Sequence, residues 1–305
     1  TLPVEYGLWL AQENKGVMKN NGFEFTLGSR KYVNEDFEFG ISGNLSYAKN
    51  KMIEVFQSDA QENNPNRTLT GKPFGTQFGY QSLGLFSTEH DKNGDGVIDK
   101  FDGYNVEQFG VIHPGDIMYA DLSGPDGVPD GKIDVNDETE IGYPVYPLLT
   151  FGLTADAKWR GFDVTLFFQG SAMSSLNIKG FQTVPFENNA SNTSYEYFNN
   201  RWTVDHQNAL YPRATPSPYV NNDRNSSFWM VNTSFLRLKT ATVGYTLPES
   251  LTNKVDIGSV RVHYTGVNLL TLSGLDFLDP EMGYAQRETA YPVMQNHTFG
   301  ITVNF

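Results

Sequence analysis

Twelve residues in the first third of the chain carry the pattern of a calcium-binding loop. In such loops side-chain oxygens stand at positions 1, 3, 5, 9 and 12, a backbone carbonyl at position 7 adds another ligand, and a glycine at position 6 lets the chain turn sharply. Gly96 supplies that turn, and Asp102 stands where a bidentate Glu is usual. The residues at the ligand positions are Asp91, Asn93, Asp95, Val97, Asp99 and Asp102. We expect a structural Ca²⁺ ion here; the alternative is a metal-free turn of Asp, Asn and Gly residues.

A second and weaker candidate for a calcium loop follows the first. Its carboxylates are Asp121, Asp126, Asp130, Asp134 and Asp137. If Asp126 is the first position, Val128 falls on the third and offers no side-chain oxygen. Alternatively, Asp121 and Ser123 begin the loop and residues 124–127 are an insertion. No convincing amphipathic helix flanks either loop, so the sequence favours a clamp for a long exposed segment over a calcium sensor.

No catalytic constellation is recognisable in the sequence. The five His residues lie far apart, and we find no His-Glu-x-x-His zinc motif, no nucleophile elbow and no phosphate-binding loop. A surface glycosidase with a catalytic pair of carboxylates is one functional alternative, but most carboxylates on so acidic a surface are solvated. We therefore predict that the protein is not an enzyme.

Aromatic side chains lie among many Asn and Ser residues in the long segments between the predicted strands. Rings beside amides suit the faces and hydroxyl groups of sugars, and they also suit extended peptides. Trp202, Tyr219 and Trp229 are the candidates for substrate contact. The favoured alternative is that such rings form the internal cores that ordered loops of this length need.

The charge balance and the absence of cysteine exclude several classes of protein. The chain has 35 acidic and 22 basic residues and a formal charge of −13, so it would repel phosphate backbones and we expect no nucleic-acid partner. With no Cys, the chain can form neither disulfides nor thiolate metal sites. No apolar run approaches the length of a transmembrane helix.

Hydrophobic and polar residues alternate with a period of two along much of the chain, which is typical of β-strands with two different faces. Seven strands are predicted, at about residues 23–27, 37–47, 149–159, 162–168, 235–246, 260–269 and 299–305. Short connections, at about residues 31–35, 160–161 and 247–258, alternate with long ones, at about residues 51–148, 173–233 and 271–295. An up-and-down arrangement would place every long connection at the same rim.

This one-sided arrangement is that of an all-β, antiparallel transmembrane β-barrel with long extracellular loops. A soluble sandwich with one wet face is the alternative. Strands of about ten residues, aromatic side chains at strand ends and the terminal Phe305 favour the membrane barrel. Seven strands cannot close such a barrel, and an open edge cannot lie in hydrocarbon. We expect the C-terminal part of a larger barrel, with residues 1–15 as the end of an extracellular loop.

Several segments together carry a resemblance to a known family. They are residues 21–25 (NGFEF), 43–50 (GNLSYAKN), 114–117 (PGDI), the acidic segment 130–137, 235–239 (FLRLK), 244–248 (GYTLP) and the terminal Phe305. In this order they resemble the C-terminal third of SusC/RagA-type TonB-dependent transporters of Bacteroidetes. The resemblance implies an outer-membrane barrel of about 22 strands, of which the seven would be the last. The third position of the second acidic loop departs from the family pattern.

The resemblance also implies an N-terminal plug domain and a TonB box, neither of which is in this sequence, so no residue here is assigned to energy coupling. It implies TonB and a SusD-like surface lipoprotein as partners, in addition to the remainder of the barrel and outer-membrane lipid. The expected function is active import of a glycan oligosaccharide, or of a peptide, across the outer membrane. The runner-up is a secreted, calcium-stabilised carbohydrate-binding β domain. Partition to the outer membrane and altered migration on unheated gels would distinguish the two.

Overall fold

The computed structural model describes residues 16–305 except 59–61, 63, 65, 181–182, 187–191, 216–218, 283–290 and 292. The expectation for residues 1–15 falls outside this part of the chain. The strands are β1 (Val17–Asn34), β2 (Phe37–Glu54), β3 (Phe78–Tyr80), β4 (Ser82–Leu85), β5 (Ile117–Tyr119), β6 (Glu138–Glu140), β7 (Leu149–Trp159), β8 (Phe162–Ala172), β9 (Ser175–Asn177), β10 (Met230–Asn232), β11 (Phe235–Thr246), β12 (Ser259–Ser273) and β13 (Asn296–Asn304). Short α-helices include α1 (Tyr195–Asn200) and α2 (Glu249–Thr252). Among the described residues, no helix has the length and hydrophobicity needed to span a bilayer.

Seven strands form one antiparallel sheet in the order β1-β2-β7-β8-β11-β12-β13. Each of them pairs with the next long strand along the chain, so the sheet is an up-and-down meander, and the predicted all-β architecture is confirmed. β1 and β2 are each 18 residues long, which exceeds the predicted strands. The reason is that backbone pairing continues into a polar stretch, where Asn20 pairs with Asn50 and Lys19 pairs with Lys51 and no alternation signals a strand.

One face of the sheet is apolar and exposed. Phe25, Leu45 and Phe151 form one cross-strand row on this face, and comparable rows lie on either side of it. Phe25 is 59% exposed and Ile301 is 70% exposed. In water such a surface would be unfavourable, because apolar area gains free energy only when it is removed from water.

The opposite face is polar and carries ion pairs between strands, one of them reaching from β1 across Gly40 of β2 to β7. Arg30 Nη2 lies 2.8 Å from a carboxylate oxygen of Asp156, and Lys158 Nζ lies 2.8 Å from Glu38. A polar inner face combined with an apolar outer face is the pattern of a transmembrane barrel, whereas a soluble sandwich turns its apolar faces inward.

The tight connection between β7 and β8 is a two-residue hairpin turn, as predicted. Arg160 and Gly161 both have left-handed backbone conformations, with φ values of 46° and 86°. Two successive positive φ values are what a type I′ turn requires. A Cβ atom on Gly161 would lie 2.8 Å from the carbonyl oxygen of Thr246. Of the other two short connections, the one after β1 is a turn at residues 35–36 and not at the predicted 31–35, because strand pairing continues to Asn34. The one after β11 contains α2 and a 3₁₀ helix (Asn253–Val255).

The described residues of 55–148 and 173–234 pack against each other and form what we call the loop assembly. Small antiparallel sheets, β3 with β6, β4 with β5 and β9 with β10, organise it. Its hydrophobic core contains the buried side chains of Tyr80, Ile117, Tyr119, Ile133, Leu176, Ile178, Tyr197, Tyr211 and Trp229. A smaller core of Phe86, Ile98 and Ile112 lies next to the first acidic loop. The two long connections therefore share one interior.

Candidate functional site

Asp116, in the PGDI segment, ties the two long connections together. Its fully buried carboxylate accepts hydrogen bonds from Arg213 Nε at 2.7 Å and from Asn222 Nδ2 at 2.9 Å. The backbone N–H of His113 donates to the other carboxylate oxygen at 2.9 Å. A carboxylate held away from water needs such partners, because an unpaired buried charge is costly. Asp116 thus crosslinks residues of the first long connection to residues of the second.

Gly115 allows the indole of Trp202 to approach the backbone closely. Its φ is 90°, and a Cβ atom there would lie 2.5 Å from Cε3 of Trp202. Any other residue at position 115 would both strain the backbone and displace the ring. Asp116 and Gly115 therefore stabilise the same contact between the two long connections, Asp116 through its ion pair and Gly115 through close packing against Trp202.

The first acidic loop closes on its own backbone. The two carboxylate oxygens of Asp91 accept hydrogen bonds from the N–H groups of Gly94 and Gly96, at 2.8 and 2.9 Å. Asp95 accepts from the N–H of Val97 at 2.8 Å. The chain turns sharply at Gly96, whose φ is 84°, as the sequence pattern predicts.

Asp102 holds the far end of this loop. Its Oδ1 accepts from the N–H groups of Lys92 and Asn93, at 2.7 and 3.0 Å, and its Oδ2 accepts from the N–H of Asp99 at 3.1 Å. These backbone donors, above all that of Asp99, hold the pKa of Asp102 below its usual range. A carboxylate offers about four lone-pair sites, so three hydrogen bonds leave roughly one for a cation. Bidentate ligation by Asp102 does not fit this arrangement.

The second acidic loop is closed by backbone hydrogen bonds to a carboxylate in the same way as the first. Asp137 accepts from the N–H groups of Leu122, Ser123 and Asp134, at 2.7, 3.1 and 2.7 Å. This is the arrangement that Asp102 makes in the first loop. Asp137 is fully buried, which agrees with a role in holding its loop closed.

The hydrogen bonds also select the register of the second loop. Asp121 accepts from the N–H of Gly131 at 2.6 Å, as Asp91 does from Gly96, and Gly131 has the same φ of 84°. Asp121 therefore corresponds to the first position, and the extra residues after Ser123 are an insertion. Asp126 lies in that insertion and is exposed.

The described residues contain no group of three or more Asp, Glu or His side chains arranged to hold a metal ion. The carboxylates of both acidic loops face backbone N–H groups of the same loops. Calcium at either loop stays a prediction from the sequence pattern, and the backbone turn around Gly96 is the feature that supports it.

Two of the three aromatic residues named as candidates for substrate contact lie inside the loop assembly. Trp229 is 1% exposed, and its Nε1 donates to the carbonyl of Asn222 at 3.0 Å. Trp202 is 8% exposed and packs on Gly115. These positions agree with the alternative in which the rings pack the loops. Substrate contact by either indole stays a prediction.

Tyr219, the third candidate, lies at the edge of the loop assembly. Its hydroxyl donates to the carbonyl of Val111, and its ring lies beneath the guanidinium of Arg213, 4.8 Å from centroid to Cζ. Partial burial raises the pKa of Tyr219, and burial raises that of Tyr80 to about 12. Both phenols therefore stay protonated at neutral pH and can donate hydrogen bonds.

A cleft of about 640 Å³ lies on the polar face of the sheet, beside the loop assembly. Its floor consists of two adjacent cross-strand rows, which we call the polar ladder. The first row is Glu24, Ser46, Thr150, Ser171 and Phe235, and the second is Thr26, Asn44, Gly152, Gln169 and Arg237; all of them except Arg237 line the cleft. Cross-strand neighbours lie about 5 Å apart, so hydroxyl and amide groups follow one another across the four strands β1, β2, β7 and β8.

Residues 275–282, which follow β12 and which we call the strap, cover one end of the polar ladder. The guanidinium of Arg237, 1% exposed, donates through Nη2 to Asp279 at 2.6 Å and through Nη1 to Glu281. Its Nε donates to Thr271 Oγ1 at 2.9 Å. Leu278 packs against the core of the loop assembly. The strap thus connects the sheet to the loop assembly, and its two carboxylates compensate a buried cation.

Neither the polar ladder nor the strap was predicted from the sequence. The alternation of polar residues in each strand is visible, but the register that aligns Thr150 with Ser171 depends on pairing between strands. No spacing rule connects Arg237 to carboxylates more than 40 positions later. The only sign of the strap in the sequence is Arg237 itself, a charged residue that stands between Leu236 and Leu238 in β11.

No protein-family model matches the chain. Among curated proteins, the chain is 29% identical to TonB-dependent receptor P3 of Formosa agariphila, over 100% of this chain and 30% of that protein. It is 24% identical to TonB-dependent receptor SusC of Bacteroides thetaiotaomicron, over 96% of this chain and 27% of that protein. The chain therefore spans about 30% of the length of its curated relatives.

Solved structures agree at the level of the fold. A structure of the RagAB peptide transporter superposes with a TM-score of 0.72 at 24% identity, over 100% of this chain and 31% of that one. TonB-dependent receptors of this kind are outer-membrane β-barrel proteins, so the predicted location and the predicted barrel class are confirmed. In sequence and in fold, the chain matches a C-terminal part of the SusC/RagA-type TonB-dependent outer-membrane receptors.

Proposed function

We propose that the protein takes part in TonB-dependent active import of a glycan oligosaccharide, or of a peptide, across the outer membrane. The seven-stranded sheet is one section of the barrel wall, with its apolar face against lipid and its polar face toward the lumen. The observation that carries this proposal is an exposed apolar face on one side of the sheet and, on the other side, a polar face that carries ion pairs. Similarity to transporters along the whole chain supports it.

In this proposal the barrel works as one component of a SusCD-type complex. A SusD-like surface lipoprotein would dock on the loop assembly, which the meander places at one rim of the sheet. TonB would act through a plug domain and a TonB box that this sequence does not contain. The residues described here contribute walls and loops, and the proposal assigns no catalytic step to any of them.

Calcium, in the same proposal, is a structural ion of the acidic loops. The first loop, with Asp91, Asn93 and Asp95 before the turn, is the better candidate. The second differs by its insertion and by Ser123 at the third position. A cation there would stiffen the loop assembly and would take no part in transport chemistry.

The runner-up, a secreted calcium-stabilised β domain, would have to cover its apolar face with protein. Instead Phe25, Leu27 and Ile301 are all more than half exposed. An additional prediction separates the two proposals, since the barrel protein should fractionate with the outer membrane and migrate faster on gels when it is not heated.

The proposed transport is tested by uptake in cells. Cells that carry the full receptor should accumulate its substrate, and deletion of TonB or of the segment that corresponds to this chain should abolish accumulation. Outer-membrane levels of the receptor in the TonB deletion serve as the control. Uptake that persists without this segment would refute the proposal.

A further inference from the structure

We propose that the polar ladder binds an uncharged, hydroxyl-rich carbohydrate chain. The inference rests on the proposed import function and narrows its substrate class to neutral sugars. It assigns the site to the cleft on the lumenal face, between the sheet, the loop assembly and the strap.

The first observation is free hydrogen-bonding capacity. Within the part of the chain that the structure describes, the side chains of Asn44, Thr150 and Ser171 make no hydrogen bond to protein. A hydroxyl group offers one donor and two acceptors, and a primary amide offers two donors and a carbonyl oxygen. Such groups can donate hydrogen bonds to sugar hydroxyls and accept hydrogen bonds from them, whichever way the hydroxyls are oriented. An ionised ligand would need fixed charges instead.

The second observation is shape. Gly152 lies in the middle of the second row, where a Cβ atom would lie 2.6 Å from Asn44 Oδ1 and 3.4 Å from the ring of Phe167. The missing side chain lets the Asn44 amide and the Phe167 ring lie close to the backbone of the sheet, and both residues line the cleft. Phe235, which is 7% exposed, ends the first row at the edge of the cleft. Polar groups together with ring faces suit a sugar, which has hydroxyl groups at its edge and C–H groups on its faces.

The third observation is charge. Glu24 and Glu281 are the charged residues that line the cleft, and its described lining includes neither Lys nor Arg. Arg237, at the end of the ladder, is already paired with Asp279 and Glu281 of the strap. The chain as a whole has a formal charge of −13. An anionic ligand would therefore be repelled, and the carboxylate terminus of a peptide would find no free cation here.

A binding experiment on the intact receptor with its lipoprotein partner tests the proposal. The probes are gluco-, manno-, xylo- and fructo-oligosaccharides, oligogalacturonate, and a pool of mixed hexapeptides. We expect the receptor to bind at least one of the four uncharged sugars. The Thr150→Val/Ser171→Ala variant should raise its Kd about tenfold, since it removes two hydrogen-bonding groups. The matched control is Thr302→Val, which removes a hydroxyl from the same face of β13 outside the cleft.

A second measurement covers the case in which the double variant fails to fold. The chain contains no Cys, so Ser171→Cys creates a single labelling site in this segment. The bound sugar should slow labelling of Cys at position 171 by an uncharged maleimide, and it should leave a Thr302→Cys site unaffected.

The proposal is overturned if the receptor binds only oligogalacturonate or peptides, if it binds none of the uncharged sugars, or if neither the double variant nor the labelling responds. These outcomes differ from failure of the proposed function. Loss of TonB-dependent uptake of every probe would refute import, whatever the ladder binds in the purified receptor.

Discussion

Asp102 shows how one carboxylate can hold a loop of twelve residues. It accepts three backbone hydrogen bonds and connects the beginning of the loop to its end. The sequence pattern identifies this residue as important but assigns it to a cation. The hydrogen bonds indicate a role in closing the loop, and this role could not be predicted because it depends on where the N–H groups of Lys92 and Asn93 point.

The lowered pKa of Asp102 predicts a pH dependence for the loop. Because its folded-state pKa lies below the unfolded value of about 3.9, the stabilisation is complete above that value and is lost as the pH falls through the lowered pKa. Hydrogen exchange at the amides of Lys92 and Asn93, corrected for intrinsic rates, should show that protection decreases as the pH is lowered through the pKa of Asp102. In Asp102→Ala the protection should be low at every pH. Equal protection in the two proteins at pH 6 would contradict this role, and Asp205→Ala is the control.

Asp116 is the residue whose loss should most disturb the loop assembly. Asp116→Asn leaves Arg213 without its counter-charge, and breaking a buried pair in this way costs about 3 to 5 kcal/mol. The lower end applies, because the side chain of Arg213 is 24% exposed. Limited proteolysis within residues 55–148 and 173–234 should become faster while the barrel strands stay intact. The control is Asp36→Asn, which breaks an exposed ion pair with Arg160 and should have little effect. If the Asp116→Asn and Asp36→Asn variants are cleaved at the same rate, Asp116 does not crosslink the two long connections.

At the scale of elements, the strands were predicted more reliably than the connections. Alternation identified all seven long strands because each has one apolar face. The ends of β1 and β2 were missed, since their outer portions have polar residues on both faces. The loop assembly was anticipated only as aromatic packing, because the contacts that build it join residues about 100 positions apart.

The hairpin between β7 and β8 depends on a glycine that no other residue replaces well. In Gly161→Ala the new Cβ atom meets the carbonyl oxygen of Thr246 in a left-handed backbone conformation, at a cost of about 1 to 2 kcal/mol. We expect a lower midpoint in the heat-induced gel shift of the receptor. Gly274→Ala is the matched control, because a Cβ atom there has no neighbour within 4 Å. An unchanged midpoint for Gly161→Ala would mean that the turn tolerates the substitution.

The calcium prediction belongs to the acidic loop as an element. Replacing Asp91 and Asp95 by Asn should loosen residues 55–148, the long connection as the structure bounds it, and leave the barrel intact, because both carboxylates stand at ligand positions. In the parent receptor, a chelator should produce the same increase in proteolysis of this region, and in the variant it should add nothing. Equal proteolysis of the parent with and without a chelator would count against a bound ion.

At the scale of the whole molecule, the sheet is an incomplete wall. Its two edge strands, β1 and β13, are each paired on one side among the described residues. An unpaired edge cannot lie in hydrocarbon, so further strands must pair with both edges in the membrane. This requirement follows from backbone chemistry and could be predicted from the strand count. The lumenal cleft could not, since its outline depends on the strap, the loop assembly and the sheet together.

The central claim is that the apolar face of this sheet lies against lipid. It is tested most directly by brominated-lipid quenching of a fluorophore on a single introduced cysteine in the reconstituted receptor, any other cysteines being replaced. We predict strong quenching for Phe25→Cys and Ile301→Cys, on the apolar face, and little for Asn44→Cys and Ser171→Cys, on the polar face. Equal quenching at all four positions, or stronger quenching on the polar face, would contradict the account.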